Sequence, residues 1–313
     1  MKLPAEIFRT YDIRGVVAKS LTPAIVREIG RALGSLGRER NAPTFAVCRD
    51  GRLSGPELLA ALAEGLLAAG ADVIDVGMGP TPIAYFAAHH LNTGSCVAVS
   101  GSHNPPQYNG LKMVVAGNTL FGEEIQQLRR RIESGKFTSG SGRKTTADVL
   151  DAYVERVVSD VKLARPFEIA IDCGNGVAGM LAPRLYRRLG CEVTELYCEV
   201  DGRFPNHHPD PAQPQNLVEL IQTLKTGDAE LGLAFDGDGD RLGVVTGPRS
   251  TTSRPVEAMP RTSAAESVGP ERRPSRPTAT ARSPAAIASL PKARPSCSAK
   301  CASIVLPTMP RMS

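Results

Sequence analysis

Between Lys2 and Thr246 the chain alternates helical stripes with short β-rich runs, and that rhythm restricts its fold more than any other feature. Ile25, Ile29, Leu33 and Leu36 recur at helical spacing, as do Leu58, Leu62 and Leu66, so each set places one apolar stripe on one helix face. Between and after them come "TFAVCRD" (44–50), "ADVIDVG" (71–77), "CVAVS" (96–100) and "LKMVV" (111–115). Such alternation predicts an α/β architecture with helices on the faces of a sheet. A small, polar segment, "GKFTSGSGRK" (135–144), joins two units. The rhythm then restarts with a helix near 147–161, a strand over 167–173, a helix near 176–189 and a strand over 191–197. A loop rich in Pro, Asn and His follows, then a helix near 215–225 and strands over 231–235 and 242–246. Residues 1–146 and 147–246 are therefore expected to form two consecutive α/β domains.

After Thr246 the rhythm stops. Residues 247–313 hold 11 of the chain's 25 prolines and no Asp, Asn, Gln, His, Phe, Tyr or Trp. That composition cannot bury much apolar surface, and a disordered tail is expected. Two origins stand open: a natural Pro/Arg/Ser/Ala linker, or a shift of reading frame near codon 246. The tail also carries the basic charge. It has 11 Lys and Arg against 3 Asp and Glu, a balance of +8, so the formal +5 of the whole leaves −3 on residues 1–246. A nucleic-acid partner is therefore not expected. No apolar run approaches the length of a membrane span, so a cytoplasmic protein without membrane contact is expected. Seven cysteines with no C-x-x-C pair argue against a disulfide framework or a zinc knuckle. Cys48, Cys96 and Cys173 read as small buried hydrophobes in a reducing compartment.

The chemistry concentrates in a few loops. In "FDGDGDR" (235–241) the aspartates alternate with glycines directly after the apolar run 231–235, so in an extended segment Asp236, Asp238 and Asp240 face one side. Three carboxylates that close repel unless a cation sits among them, and an all-oxygen set selects Mg²⁺ or Ca²⁺ over zinc. An EF-hand is excluded: with Asp236 as position 1, position 6 is Arg241 and position 12 is Gly247, where that loop needs Gly and Glu. In "SGSHNPPQYNGLKMVV" (100–115), Ser102 follows the strand "CVAVS", at the carboxyl end where ligands of open α/β sheets bind. A serine there suits a nucleophile or phosphate carrier. "FRTYDIRG" (8–15) is too polar for a core strand and reads as a surface loop whose Arg9 and Arg14 suit an anion, with Tyr11 beside them. "GNGVAG" (174–179), between a strand and a helix and with Glu195 about twenty residues on, matches the dinucleotide-binding pattern. It makes an NAD(P)-dependent oxidoreductase an alternative. That reading gives the aspartates and Ser102 no role.

Taken together, "FRTYDIRG", "SGSHNPPQYNGLK", "DGRFPNHHPDP" (201–211) and "FDGDGDR" resemble the α-D-phosphohexomutase family, in its phosphomannomutase/phosphoglucomutase branch. The resemblance covers about residues 5–246. It implies phosphohexomutase-type α/β domains with mixed sheets flanked by helices, and an isomerase that interconverts hexose 1- and 6-phosphates through a phosphoserine and a hexose 1,6-bisphosphate. It further implies Ser102 as the phosphoserine, with Asp236, Asp238 and Asp240 holding Mg²⁺ together with a phosphate oxygen of that serine. Arg14, His103, Lys112 and Arg241 would surround the phosphoryl group and Tyr11 would lie near the substrate, which of them moves the proton being left open. Such catalysis rests on positioning and electrostatics. Members of the family have two further domains that grip the sugar, and residues 247–313 resemble neither. Little or no mutase activity is therefore expected of this chain, with a non-catalytic Mg²⁺- or phosphate-binding fragment as the alternative. Mannose against glucose preference and oligomeric state stay open.

Overall fold

A computed structural model of the chain describes residues 3–247 and the strand 300–301. The first unit is built on a mixed sheet of seven strands. They are β1 (Ile13–Val16), β2 (Thr44–Arg49), β3 (Asp72–Met78), β4 (Ser95–Val99), β5 (Tyr108–Val115), β6 (Asn118–Thr119) and β7 (Lys144–Thr146). Their order is β1-β5-β4-β2-β3-β7, with β6 paired to β5. β2, β3, β4 and β7 run parallel; β5 pairs antiparallel with β4, and β1, antiparallel to β5, runs in the direction of the parallel set. The connections are α1 (Pro23–Glu39), α2 (Gly55–Ala68), α3 (Thr81–His90) and α4 (Glu123–Ser134).

Strand alternation sorts the two faces of this sheet. Phe45 and Val47 of β2, with Val97 and Val99 of β4, pack into the cluster that holds Ile29 and Leu33 of α1 and Leu58, Leu62 and Leu66 of α2. The intervening Ala46, Cys48, Cys96 and Ala98 are small and face Ile83, Ala84 and Ala87 of α3. The predicted stripes of α1 and α2 are thus the buried ones. α1 starts where Thr22 Oγ1 accepts the Ile25 N–H (3.3 Å) and Pro23 opens the helix.

Two expectations change. Residues 8–15 are not merely a surface loop, because Ile13 is fully buried, Arg14 is 3 % exposed and both lie in β1, an edge strand of the sheet. Polarity is tolerated there because Asp12 Oδ2 accepts from Arg14 Nε (3.0 Å) and Nη2 (2.6 Å). The joining segment is also less of a linker than its composition suggests, since the Gly140 and Gly142 N–H groups donate to Ala68 O (3.1 Å) and Leu67 O (3.0 Å) and its last residue, Lys144, opens β7 beside β3.

The chain then enters α5 (Leu150–Asp160), whose Val154 packs both on α3 and, through Leu181, on the second unit. That unit contains α6 (Ala182–Arg188), α7 (Val218–Thr226) and the strands β8 (Glu168–Asp172), β9 (Glu192–Leu196), β10 (Leu231–Phe235) and β11 (Leu242–Thr246). α6 and α7 are each preceded by a short 3-10 turn. The order is β11-β10-β8-β9, mixed once more, with β8, β9 and β10 parallel and β11 antiparallel. The two-residue strand β12 (Lys300–Cys301) pairs antiparallel with β11. The rest of the expected disordered tail lies outside the described residues.

The tightest helix contact is α1 on α2, where a Cβ on Gly65 would stand 2.0 Å from Arg27 O and one on Gly30 would stand 2.4 Å from Leu62 O. Backbone opposes any side chain at Gly65, so the helices would have to separate. Replacing Gly65 with Ala is expected to lower stability by about 1–3 kcal/mol, read from the midpoint of urea unfolding.

Candidate active site

The loops leaving the carboxyl ends of β4 and β10 meet, which is where parallel α/β sheets place their ligands. Ser102 is 1 % exposed and takes a positive φ of 49°, a region costly for a residue with a Cβ. Its N–H donates to Ser100 Oγ (2.8 Å), and its hydroxyl donates to Asp236 Oδ2 (2.8 Å). Asp236, Asp238 and Asp240 do converge, with one oxygen of each inside a 4.8 Å cluster. They do so by a tight turn at Gly237 and Gly239, the curl that two glycines between the acids allow. Gly239 N–H closes on Asp236 O (3.0 Å), and the Asp240 and Arg241 amides donate to Asp236 Oδ1 (3.1 Å each). Gly237 lets this turn dock, because a Cβ there would lie 2.5 Å from Ser102 O.

Asp238 is fully buried and sits at the centre. Its Oδ2 accepts from Thr81 Oγ1 (2.5 Å), Ser100 Oγ (2.6 Å) and Lys112 Nζ (2.6 Å). Thr81 is the first residue of α3, and its backbone N–H also donates to Asp238 O (2.9 Å). The positive end of α3 therefore faces the acidic turn. Lys112 reaches on to Asp240 Oδ2 as well. Asp238 Oδ1 and Asp240 Oδ1 are buried and have no hydrogen-bond partner among the described residues. Two unpartnered carboxylate oxygens in a cluster of three acids fit a hard divalent cation.

The electrostatics follow. Burial, then the charges of Asp238 and Asp240, push Asp236 well above the carboxylate range. Burial pushes Asp238 the same way, but the Lys112 ammonium and the donated hydrogen bonds outweigh it and hold Asp238 ionised, well below that range. Burial and Asp238 raise Asp240. Lys112 would be lowered by burial, yet the two carboxylates overcome this and keep it charged. His103 is lowered by burial and then by the Arg241 guanidinium.

Around Ser102 the other predicted residues divide. His103 Nδ1 lies 3.4 Å from Ser102 Oγ and accepts from Arg241 Nη1. Arg14 stands opposite Gly110 across the β1–β5 ladder, and its Nη1 is buried with no hydrogen-bond partner among the described residues. Lys112 lies two residues further along β5. Tyr11 is 74 % exposed. The "GNGVAG" turn holds protein where a pyrophosphate would need room: a Cβ on Gly176 would meet Gly237 Cα at 3.0 Å, and one on Gly179 would meet Cys198 O at 1.9 Å. Those glycines serve close backbone packing, with Val177 N–H donating to Gly237 O (3.2 Å).

Sequence reasoning missed Thr81, Asp50, Arg52 and the histidine pair. Asp50 and Arg52 follow the apolar run of β2, at the same carboxyl edge as Ser102, and that position is the signal that could have found them. His208 Nε2 donates to His103 O (2.5 Å), which ties the loop 201–211 to the serine loop. His207 Nε2 lies 3.0 Å from both Asp172 oxygens, and Nδ1 lies 3.1 Å from His208 O. Both ring nitrogens face acceptors, which favours the imidazolium.

Burial alone would lower His207, but the bond to Asp172 and its charge overcome this and raise the folded-state value. The pair's stabilisation is thus complete below the unfolded histidine value of about 6.5 and is lost as pH rises through the raised folded value. The melting-temperature gap between wild type and H207Q is expected to be larger at pH 6 than at pH 9. An equal gap at both would show that His207 does not carry this charge.

Residues 5–139 match the family described as phosphoglucomutase/phosphomannomutase, alpha/beta/alpha domain I, and residues 151–249 match its alpha/beta/alpha domain II. A phosphomannomutase/phosphoglucomutase of Pseudomonas aeruginosa is 57 % identical over 244 residues, covering 78 % of this chain and 53 % of the relative. A phosphoglucomutase of Neisseria gonorrhoeae is 54 % identical over 243 residues, with 77 % and 53 % covered. The crystal structure of a phosphoglucomutase/phosphomannomutase family protein from Burkholderia thailandensis superposes with a TM-score of 0.75 at 54 % identity, covering 78 % of this chain and 55 % of that one. The chain spans about half the length of the curated relatives it matches.

Proposed function

This chain belongs to the phosphoglucomutase/phosphomannomutase family, and from that premise we propose that it carries the phosphoryl-transfer centre of a hexose-phosphate mutase. The two units of that centre are residues 1–146 and 147–246. Ser102 is the phosphoryl carrier, receiving the group from a hexose 1,6-bisphosphate and returning it to a hexose monophosphate, the two half-reactions of a mutase; complete interconversion of 1- and 6-phosphates by this chain, which spans about half of its relatives, is expected to be slight or absent. The observation that carries this reading is the Ser102 hydroxyl held 2.8 Å from Asp236 beside two unpartnered, buried carboxylate oxygens.

Asp236, Asp238 and Asp240 would hold Mg²⁺, with a phosphate oxygen of modified Ser102 joining them. Bound there, Mg²⁺ supplies neutralisation of the charge on the transferring phosphoryl group. The chain's own cations do the remaining electrostatic work. Lys112 is kept charged by Asp238 and Asp240, Arg241 reaches the serine loop through His103, and the spare Nη1 of Arg14 is a donor for an anionic oxygen. His103, whose Nδ1 accepts from Arg241, holds that guanidinium beside the Ser102 hydroxyl, which itself donates to Asp236. Exposed Tyr11 is free to meet the sugar.

No helix among the described residues is long and apolar enough to cross a membrane. Cys48, Cys96, Cys173, Cys191 and Cys198 are free thiols, which suits a reducing compartment, and we place the protein in the cytoplasm.

The full chain incubated with Mg²⁺ and glucose or mannose 1,6-bisphosphate is expected to gain one phosphoryl group on Ser102, measured by peptide mass. S102A is expected to gain none, and D238N to lose at least about 10²-fold in labelling rate through loss of electrostatic stabilisation. Labelling of S102A at the wild-type rate would reject the assignment. Mg²⁺ binding by the wild type with no labelling at all would favour a non-catalytic binding module.

A further inference from the structure

We propose that Arg52, with Asp50 behind it, is a positioning residue that holds Ser102 in its reactive conformation; the inference rests on reading Ser102 as the phosphoryl carrier. Arg52 is 1 % exposed, and all five of its guanidinium N–H groups are used. Nη2 donates to Ser102 O (2.8 Å) and Asn104 O (2.5 Å), Nη1 to Pro105 O (2.6 Å) and Tyr108 O (3.0 Å), and Nε to Asp50 Oδ2 (3.2 Å). Four of the five acceptors are therefore backbone carbonyls of the loop that presents the serine. An arginine this deeply buried needs a counter-charge, and Asp50 provides it.

Asp50 acts on the same loop. Its Oδ2 accepts the Gly101 N–H (2.8 Å), and its Oδ1 accepts the Arg52 N–H (3.0 Å). A Cβ on Gly101 would lie 2.0 Å from Arg52 Nε, so the guanidinium fills the space that a side chain at 101 would take. From the second unit, the Phe204 ring lies over the guanidinium, with its centroid 5.1 Å away.

The need for such a clamp is written in the backbone. Ser102 has φ +49°, and conformations of that kind are strained for a residue with a Cβ and persist only where the surroundings over-determine them. Its carbonyl is held by Arg52, its N–H by Ser100 and its hydroxyl by Asp236. Arg52 touches no reacting atom. It fixes the peptide from which the hydroxyl projects.

Lysine keeps the charge but concentrates its donors on one nitrogen, which cannot span four carbonyls. In the full chain, R52K is expected to lower the first-order rate of Ser102 labelling at saturating hexose 1,6-bisphosphate by about 10²-fold, with the half-saturating concentration changed less than about threefold. Amide exchange in peptides covering 100–108 is expected to speed up while peptides from α1 stay unchanged. Wild-type labelling together with wild-type exchange in 100–108 would overturn the proposal. If the wild type itself does not label, the phosphoryl-carrier reading fails, and the exchange comparison alone decides whether Arg52 holds the loop. If R52K exchanges rapidly throughout, D50N decides: it keeps the guanidinium, and unaltered exchange in 100–108 would count against the clamp.

Discussion

Three carboxylates crowded within 4.8 Å, two of them fully buried, cannot stay ionised together without positive charge beside them. In this structure much of that charge comes from Lys112 and from the dipole of α3, both of the first unit, whereas the acids belong to the second. The acidic turn is thereby tied to the first sheet through Asp238, which receives Thr81, Ser100 and Lys112 on a single oxygen. The contact that satisfies Asp238 also sets the turn beneath Ser102. Electrostatic necessity and the geometry of the centre are one constraint.

Packing serves the same junction from further away. Small residues on one face of β2 and β4 let α3 approach, and α3 then presents Thr81 to the turn. α5 packs on α3 and on Leu181, and Arg184 and Arg188 of α6 pair with Asp151 and Glu155 of α5. Those exposed ion pairs contribute little individually. The apolar contacts around Val154 do more to hold the sheets so that the carboxyl ends of β4 and β10 face each other.

Much of this was legible in the linear text because periodicity reflects burial directly. Leu58, Leu62 and Leu66 face the core as their spacing requires, and "CVAVS" is a strand buried on both sides. "FRTYDIRG" misled because composition scores Arg14 as exposed, while the structure satisfies its charge with Asp12 at the sheet edge. Asp50 and Arg52 escaped for a related reason. A charged pair behind a strand reads as a turn until the carbonyls it serves, about fifty residues later in the chain, are folded over it.

The sequence by itself determined the α/β alternation, the loops at the carboxyl ends of strands and the identity of the acids and the serine, since these follow from local spacing and residue type. Only the tertiary structure decided that Ser102 and Asp236, 134 positions apart, would share a hydrogen bond, and that Lys112 would bridge Asp238 and Asp240. It likewise decided that Arg52 would hold the serine loop from within. Contacts of that range arise from the docking of one sheet's loops on another's, and no local period in the chain encodes them.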